Sequence, residues 1–275
     1  MNIFRTFGVC LVVCLLSLAG CSDNSNDKSS RPSREPHFQL SQSPKTELER
    51  MVQRADAGDP VAQNNLGAAY SDGEGVPEDD VEAVKWFRLA AEQGEAMAQN
   101  NLGKHLDDGL GVPEDDIEAV KWYRLAAEQG NATGQNNLGV AYSDGEGVPE
   151  DDVEAVKWFR LAAEQGNATA QTNLGKHLGD GLGVPEDDIE AVKWYRLAAE
   201  QGNAIAQNNV GVAYSSGEGV PEDDVEAYAW LSIAAVGDVD HEKNRDIVKE
   251  SLSDSQLALG QRRATELFEK YGSGK

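Results

Sequence analysis

The hexapeptide Gly-Val-Pro-Glu-Asp-Asp at residues 75–80 recurs four more times along the chain. Its proline returns at every 36th residue, at Pro77, Pro113, Pro149, Pro185 and Pro221. V/I-E-A follows the motif in each copy, and W-F/Y-R-L-A-A-E-Q-G comes next in the first four copies. Self-similarity at a fixed period of this length predicts a repeat protein whose units stack into a solenoid.

The second half of each copy has the pattern of an amphipathic helix. In the first copy Pro77 prevents an earlier start, and Asp79 with Glu82 three residues later predicts a capping box. Gly94 is expected to end the helix in a left-handed conformation. The apolar side chains between these ends recur at helical spacing, at Ala83, Val84, Phe87, Ala90 and Ala91. This wide, alanine-rich face predicts a helix that packs against neighbours on two sides.

The first half of each copy also predicts a helix, marked in the first copy by Ala62, Leu66 and Tyr70 at spacing four. A glycine recurs near the centre of this helix, at Gly67, Gly103, Gly139, Gly175 and Gly211. Glycine in a helix interior costs about 1 kcal/mol relative to alanine. Its return at every equivalent position therefore predicts that a neighbouring helix crosses there.

Alternate copies resemble each other more than adjacent copies do. The first, third and fifth copies have valine directly after the motif, whereas the second and fourth have isoleucine. The loop before the motif differs in the same way, because it reads S-D-G-E-G in the first copy and D-D-G-L-G in the second. This alternation indicates that a two-repeat unit was duplicated as a block.

The full pattern reads A-x-x-x-L-G-x-x-Y/L-x-x-G-x-G-V-P-x-D-x-x-x-A-x-x-W-F/Y-x-x-A-A-x-x-G. It strongly resembles the Sel1-like repeat, a relative of the tetratricopeptide repeat. The resemblance implies an all-α fold, a right-handed superhelical solenoid of antiparallel helix pairs, used for protein–protein contacts. We predict five Sel1-like repeats over residues 59–236, an N-terminal capping helix over residues 45–58 and C-terminal capping helices over residues 237–275.

The two ends of the predicted stack carry helix-start signals of their own. Thr46 with Glu49 and Ser253 with Gln256 both have the spacing of a capping box. The helix that starts after Ser253 is expected to bury Phe268 among its apolar residues. Such covers are needed because the open end of a stack exposes apolar surface.

Residues 1–20 have the pattern of a bacterial lipoprotein signal peptide. Arg5 provides the positive start, and the apolar run over residues 9–18 is too short to span a bilayer comfortably. The run ends in Leu-Ala-Gly-Cys at residues 18–21, which resembles the lipobox of bacterial lipoproteins. This resemblance implies cleavage before Cys21 and a diacylglycerol on its sulfur. The alternative is a simple secretory signal with an incidental cysteine.

The segment after the signal peptide also fits membrane anchoring. Residues 21–44 contain few apolar side chains, so we expect a lipidated cysteine followed by a disordered tether. Cys10 and Cys14 would leave with the signal peptide, so the mature chain would form no intramolecular disulfide. The sorting tendency of lipoproteins with Ser22 after the cysteine implies the outer membrane, with the protein facing the periplasm.

The acidic composition argues against nucleic acid as a partner. Asp and Glu number 48 against 24 Lys and Arg, which gives a formal net charge of −24. Such a surface repels polyanions. The predicted partner is an unidentified envelope or secreted protein, and contact with the membrane is expected through the lipid at Cys21.

The sequence contains no pattern that indicates catalysis, a cofactor or a metal. The acidic stretch over residues 72–80 lacks the ligand spacing of an EF-hand and is explained by helix capping. His105 and His177 are two repeats apart, on the order of 20 Å, so they cannot share a metal. No serine has a recognisable histidine and acid partner. We therefore predict a non-catalytic protein.

Two other functions stay open. Four tryptophans could stack on a sugar in a cell-wall glycan binder, although their helical spacing favours packing; they are Trp86, Trp122, Trp158 and Trp194. One branch of the Sel1-like family is linked to β-lactam binding or hydrolysis. The repeats of that branch are joined by cysteine pairs, which this chain lacks.

The tetratricopeptide-like resemblance implies that the first helices line a concave, partner-binding groove. The side chains predicted to line it are Asn64, Asn100, Asn136 and Asn208, together with Lys104, His105, Lys176 and His177. The two lysine–histidine pairs would be basic points in an acidic molecule. We therefore expect an extended peptide or an acidic partner segment to dock there, so that the protein acts as an envelope-anchored interaction scaffold.

Overall fold

A computed structural model of the protein describes residues 46–236 and 239–272. Within these ranges the chain forms thirteen α-helices and no β-strand, which confirms the predicted all-α fold. The predicted signal peptide, Cys21 and the tether lie outside the described residues. No helix in the two described ranges is both long and apolar enough to cross a bilayer.

The helices follow one another through short connections. They are α1 (Glu47–Asp56), α2 (Pro60–Asp72), α3 (Asp80–Glu92), α4 (Ala96–Asp107), α5 (Asp116–Glu128), α6 (Ala132–Asp144), α7 (Asp152–Glu164), α8 (Ala168–Asp180), α9 (Asp188–Glu200), α10 (Ala204–Ser216), α11 (Asp224–Ala234), α12 (Val239–Ser251) and α13 (Asp254–Tyr271). The even-numbered helices α2 to α10 are the first helices of the five repeats, and the odd-numbered helices α3 to α11 are the second helices. Each first helix packs on the second helix of its repeat, which packs in turn on the next first helix.

Each second helix begins at an aspartate, as the sequence predicts. The Asp79 side chain accepts a hydrogen bond from the backbone N–H of Glu82 at 3.1 Å. The Glu82 carboxylate accepts from Lys85 Nζ at 2.5 Å instead of closing a capping box, so the predicted box at this position is wrong. Gly94 follows the helix with φ of +89°, which confirms the left-handed termination.

The recurring glycine in each first helix marks a close helix crossing. A Cβ placed on Gly67 would lie 2.7 Å from the ring of Phe87 on the second helix of the same repeat. Gly103 faces Tyr123 at the same distance. Atoms that are not bonded cannot approach so closely, so only glycine lets these two helices pack in contact. The predicted crossing is confirmed. A Phe or Tyr ring requires the glycine in the first four repeats, and the Leu231 side chain requires Gly211 in the fifth.

Both ends of the stack are closed by helices that start as predicted. The capping boxes at Thr46 with Glu49 and at Ser253 with Gln256 each form both of their hydrogen bonds. Helix α1 packs on α2, and α12 and α13 both pack on α11. These helices cover the first and last repeats.

One prediction for the C-terminal cap is wrong. Helix α13 buries Leu267, but Phe268 is 47% exposed. Successive residues of an α-helix are rotated by about 100°, so the face that holds Leu267 turns Phe268 away from α11.

Candidate partner-binding surface

Three of the predicted groove asparagines lie inside the stack. Asn64, Asn100 and Asn136 are only 3%, 7% and 6% exposed. Each accepts a hydrogen bond from an asparagine one repeat later, and we call these bonds the asparagine ladder. They run from Asn101 to Asn64 (3.0 Å), from Asn137 to Asn100 (3.0 Å) and from Asn173 to Asn136 (3.1 Å). A buried amide without a partner costs about 1–3 kcal/mol, so these side chains join repeats and do not line an open groove.

The asparagine ladder changes in the fourth repeat. Thr172 occupies the acceptor position there, and its hydroxyl donates to the Ala168 carbonyl oxygen at 2.9 Å. The ladder resumes at Asn208, which is half-buried and accepts from Asn244 Nδ2 of α12 at 2.9 Å. The fourth predicted groove asparagine therefore connects the last repeat to the C-terminal cap.

A second set of amide bonds, the glutamine ladder, was not predicted from the sequence. The buried Gln63 donates through Nε2 to the Ala55 carbonyl at 3.1 Å and accepts from Gln93 Nε2 at 2.6 Å. The same pairing recurs between Gln129 and Gln99, Gln165 and Gln135, and Gln201 and Gln171. The 36-residue period shows that these glutamines are equivalent, but it does not show that they face each other.

His105 and His177 are also buried, which corrects their expected place in the groove. His105 Nδ1 lies 2.9 Å from the Asn101 carbonyl oxygen, which can only accept, so Nδ1 carries a hydrogen. Its Nε2 lies 3.3 Å from Ser71 Oγ and 3.7 Å from Asp80 Oδ1, both in the preceding repeat. His177 repeats this arrangement with Ser143. Both histidines join an even repeat to the one before it.

The Ser71–His105 pair combines a hydroxyl and an imidazole, the groups that serve as nucleophile and base in serine hydrolases. Ser71 lies in the last turn of α2, beside the partial negative charge of the helix C-terminus. That environment opposes an oxyanion developing near the serine. The position of Ser71 at the helix C-terminus therefore favours a structural role for the pair. Separately, no cluster of metal-ligating side chains occurs within the described ranges.

The five helix pairs coincide with matches to a known repeat family. The sequence profile described as the Sel1 repeat matches residues 60–95, 96–131, 132–167, 168–203 and 204–235. The chain belongs to the Sel1 repeat family. Members of this family are generally protein-interaction scaffolds. A comparison with curated proteins gave no match.

Several solved Sel1 repeat structures are similar to this one. The Sel1 repeat protein from Oxalobacter formigenes is 36% identical over 69% of this chain and 78% of its own, with a TM-score of 0.62. A protective antigen of uropathogenic Escherichia coli is 33% identical over 81% of this chain, with a TM-score of 0.55. The alignment spans 56% of the length of that antigen. A Sel1 repeat protein from Klebsiella pneumoniae, at 23% identity, 73% and 98% coverage and a TM-score of 0.50, shows the shared fold alone.

Lys104 and Lys176 are the predicted groove residues that the Sel1 repeats leave exposed. Lys104 borders a cavity of about 150 Å³ that is also lined by Asp107 and Glu146. Tyr123 donates a hydrogen bond to Asp107 Oδ2 at 3.2 Å. Burial nevertheless holds the pKa of the Asp107 carboxyl above its ordinary value. Lys104 is therefore a single cation at an otherwise acidic site.

The four repeat tryptophans are half-buried and pack against the core. Trp122 Nε1 donates to Glu118 Oε1 at 3.2 Å, and Trp194 makes the same bond with Glu190. The rings of all four tryptophans, and the indole N–H groups of Trp122 and Trp194, thus have partners within the stack. This placement agrees with a packing role and gives no support to a glycan platform.

Proposed function

We propose that the protein is a lipid-anchored scaffold of the bacterial envelope that binds a protein partner along its first helices and catalyses no reaction. The observation that carries this proposal is the distribution of sequence differences among the repeats, which lie mainly on the first helices. The second helices of the first four repeats differ only between Val and Ile and between Phe and Tyr. The exposed positions of the first helices vary far more.

Two rows of the first helices carry many of these differences, and we call them the first-helix face. The exposed row is Val61, Met97, Thr133, Thr169 and Ile205. In the other row Lys104, Lys176 and Val212 are exposed, whereas Ala68 and Val140 are half-buried against the core. Most residues that maintain the stack are shared by the repeats, with Thr172 and the histidines of the even repeats as exceptions, whereas the residues of these two rows vary. They supply a surface that differs from repeat to repeat, as recognition of one defined partner requires.

Lys104 and Lys176 are the only lysine or arginine residues on the five first helices. An acidic segment of a partner that runs along the first-helix face would reach both, two repeats apart. We therefore retain these two lysines as proposed contacts. The buried asparagines and histidines of the original groove set are left out of the contact surface.

The proposed location in the bacterial envelope rests on the amino-terminal sequence. The Leu-Ala-Gly-Cys motif at residues 18–21 supports lipidation of Cys21, and Ser22 supports delivery to the outer membrane. The tether over residues 21–44 would give the solenoid reach away from the lipid. An anchored scaffold of this kind would hold its partner near the membrane at high effective concentration.

Affinity capture from a gently solubilised envelope extract tests this function. The mature chain would serve as bait, alongside a Lys104→Glu/Lys176→Glu variant and a Lys249→Glu control that changes an exposed lysine on α12. We expect a protein that is enriched by the wild-type chain and by the control but lost with the double variant. Equal enrichment by all three baits would place the partner elsewhere, and turnover of nitrocefin would contradict the non-catalytic assignment.

A further inference from the structure

The second helices carry a row of exposed apolar side chains that the core does not use. On each of α3, α5, α7 and α9, a valine or isoleucine and a leucine eight residues later are between 43% and 61% exposed. The pairs are Val81 and Leu89, Ile117 and Leu125, Val153 and Leu161, and Ile189 and Leu197. A lysine lies midway between the members of each pair, so all three side chains share one helix face. Exposed apolar side chains that recur at the same positions on four successive second helices are typical of an interaction surface.

In the fifth repeat the chain itself covers this face. The equivalent positions on α11 are Val225, Ala229 and Ile233, and Ile233 is only 6% exposed where Leu197 is 47% exposed. Ala229 and Ile233 pack in one cluster with Leu267 of α13. The structure therefore shows what kind of element fits the second-helix face, namely an amphipathic helix.

The contacts of α13 define how such a helix binds. Its buried face runs through Gly260, Ala264, Leu267 and Tyr271, at spacings of four, three and four residues. A Cβ on Gly260 would lie 2.7 Å from the ring of Tyr228, so the glycine permits close packing on α11. At the edge of this contact, Arg263 Nε donates to Glu226 Oε1 at 2.7 Å. Apolar residues thus fill the centre and an ion pair lies beside them.

The covered face and the uncovered faces differ in charge. Ala229 replaces the lysine that stands midway in each of the other four repeats. In the odd repeats that lysine is paired, since Lys157 Nζ lies 2.5 Å from Glu154. In the even repeats the glutamate binds an arginine and a tryptophan instead, as Glu190 does. Lys121 and Lys193 consequently make no hydrogen bond or ion pair in the described part of the chain.

A cavity of about 420 Å³ lies over the uncovered face of α9. It is lined by Ile189, Val192, Lys193 and Leu197 and by Gly219 and Val220 of the loop before α11. Arg196 and Glu200 line both this cavity and the neighbouring one that α13 borders. The cavity therefore continues directly from the surface to which α13 is already docked.

We propose that the cavity over α9 binds an amphipathic helix of a partner protein, laid beside α13. The partner helix would place apolar residues at α13-like spacing against Ile189 and Leu197. It would also place a carboxylate against Lys193, whose ammonium interacts with Glu190 only at longer range. The cavity adjoins the surface on which the α13 helix packs, which favours another helix as the occupant. The positive charge of Lys193 favours a helix that carries a carboxylate. The proposal rests on the proposed scaffold function and adds a second surface with a defined partner chemistry.

A peptide derived from α13 tests this docking site. The probe is a fluorescently labelled peptide of residues 253–272 that carries Ala264→Glu, which places a carboxylate opposite Lys193. We expect saturable binding to the full mature chain by fluorescence anisotropy. Leu197→Glu should weaken binding about tenfold, because a charge would enter the apolar contact. Lys193→Glu should weaken it about threefold, as for an exposed ion pair, and a peptide with Ala264→Lys should recover that loss.

Leu89→Glu is the matched control, because Leu89 is the equivalent residue of the first repeat and lies far along the stack from α9. We expect it to leave binding unchanged. Leu197 and Leu89 are both partly exposed, so the variants should keep the helical circular dichroism of the wild type. No binding, or binding that none of the α9 substitutions weakens, would overturn the proposal.

Other occupants of the cavity give different results. If a second copy of the chain fills it, sedimentation velocity will show a dimer that Leu197→Glu dissociates. If acyl chains fill it, phospholipid vesicles will displace the peptide; either result overturns the partner-helix proposal. An envelope protein captured through Lys104 and Lys176, together with failure of the peptide to bind, would leave the scaffold function standing and reject this site alone.

Discussion

The side-chain amide of Asn101 donates a hydrogen bond to Asn64 Oδ1 across the boundary between the first two repeats, over 3.0 Å. Asn64 is buried, so this bond is what makes its amide acceptable inside the stack. Equivalent bonds follow at the next two boundaries. The register between repeats is therefore set by paired amides as well as by apolar packing.

Breaking one bond of the asparagine ladder should destabilise the stack. Asn136→Ala would remove the acceptor of Asn173 Nδ2 and leave this half-buried donor without that partner. We expect the free energy of unfolding to fall by about 0.5–1.5 kcal/mol. Urea denaturation followed by circular dichroism measures this change.

The chain offers the reverse substitution as a control. Thr172→Asn would restore the acceptor position that is missing in the fourth repeat and offer it to Asn209, whose side chain otherwise bonds with Tyr195. We expect the free energy of unfolding to rise by about 0.5–1.5 kcal/mol. A Thr172→Asn chain that is less stable than wild type would show that the ladder is not a source of stability.

The helix crossing at Gly139 should not tolerate a methyl group. A Cβ at this position would lie 2.7 Å from the ring of Phe159, and overpacking of this kind costs about 1–3 kcal/mol. Gly179, in the last turn of α8, is the matched control because its Cβ would meet nothing closer than Ala191 at 3.7 Å. We expect Gly139→Ala to lower the melting temperature and Gly179→Ala to maintain or raise it. Equal effects would argue against the crossing.

Asp107 should make the stability of the protein depend on pH. Its pKa is raised by burial, so the folded state holds the proton more tightly than the unfolded chain does. This contribution to stability is fully present below the pKa of Asp107 in the unfolded chain and is lost as pH rises through the raised pKa of the folded state. We expect Asp107→Asn to raise the melting temperature at pH 7 and to have a smaller effect at pH 4. Asp144→Asn, which removes an exposed carboxylate, controls for net charge.

The sequence predicted the repeat architecture because its signals are local. Pro77, Asp79 and the recurring glycines act on the backbone or on one neighbouring side chain, so spacing alone identifies them. The Asn64 and His105 side chains were predicted to line a groove, because the tetratricopeptide-like resemblance implies that non-core positions of the first helices face a concave surface. They are buried because each finds a partner in an adjacent repeat, which depends on how the repeats stack and not on spacing along the chain.

Lipidation at Cys21 remains a prediction from the lipobox. Cells that express the full chain would be labelled with an alkyne-tagged palmitate analogue and compared with cells that express Cys21→Ser. We expect labelled wild-type protein in the membrane fraction and no label on the variant. Label that persists on the Cys21→Ser protein would contradict anchoring at this residue.

Site-specific photo-crosslinking in cells tests the scaffold function most directly. A photo-reactive amino acid would replace Thr169, which is exposed on the first-helix face, and in a second strain Lys249, which is exposed on α12. We predict one discrete crosslinked protein from position 169 and none from position 249, with the product lost when Lys104 and Lys176 are changed to Glu. No product from position 169, or the same products from both positions, would contradict a scaffold that binds its partner along the first helices.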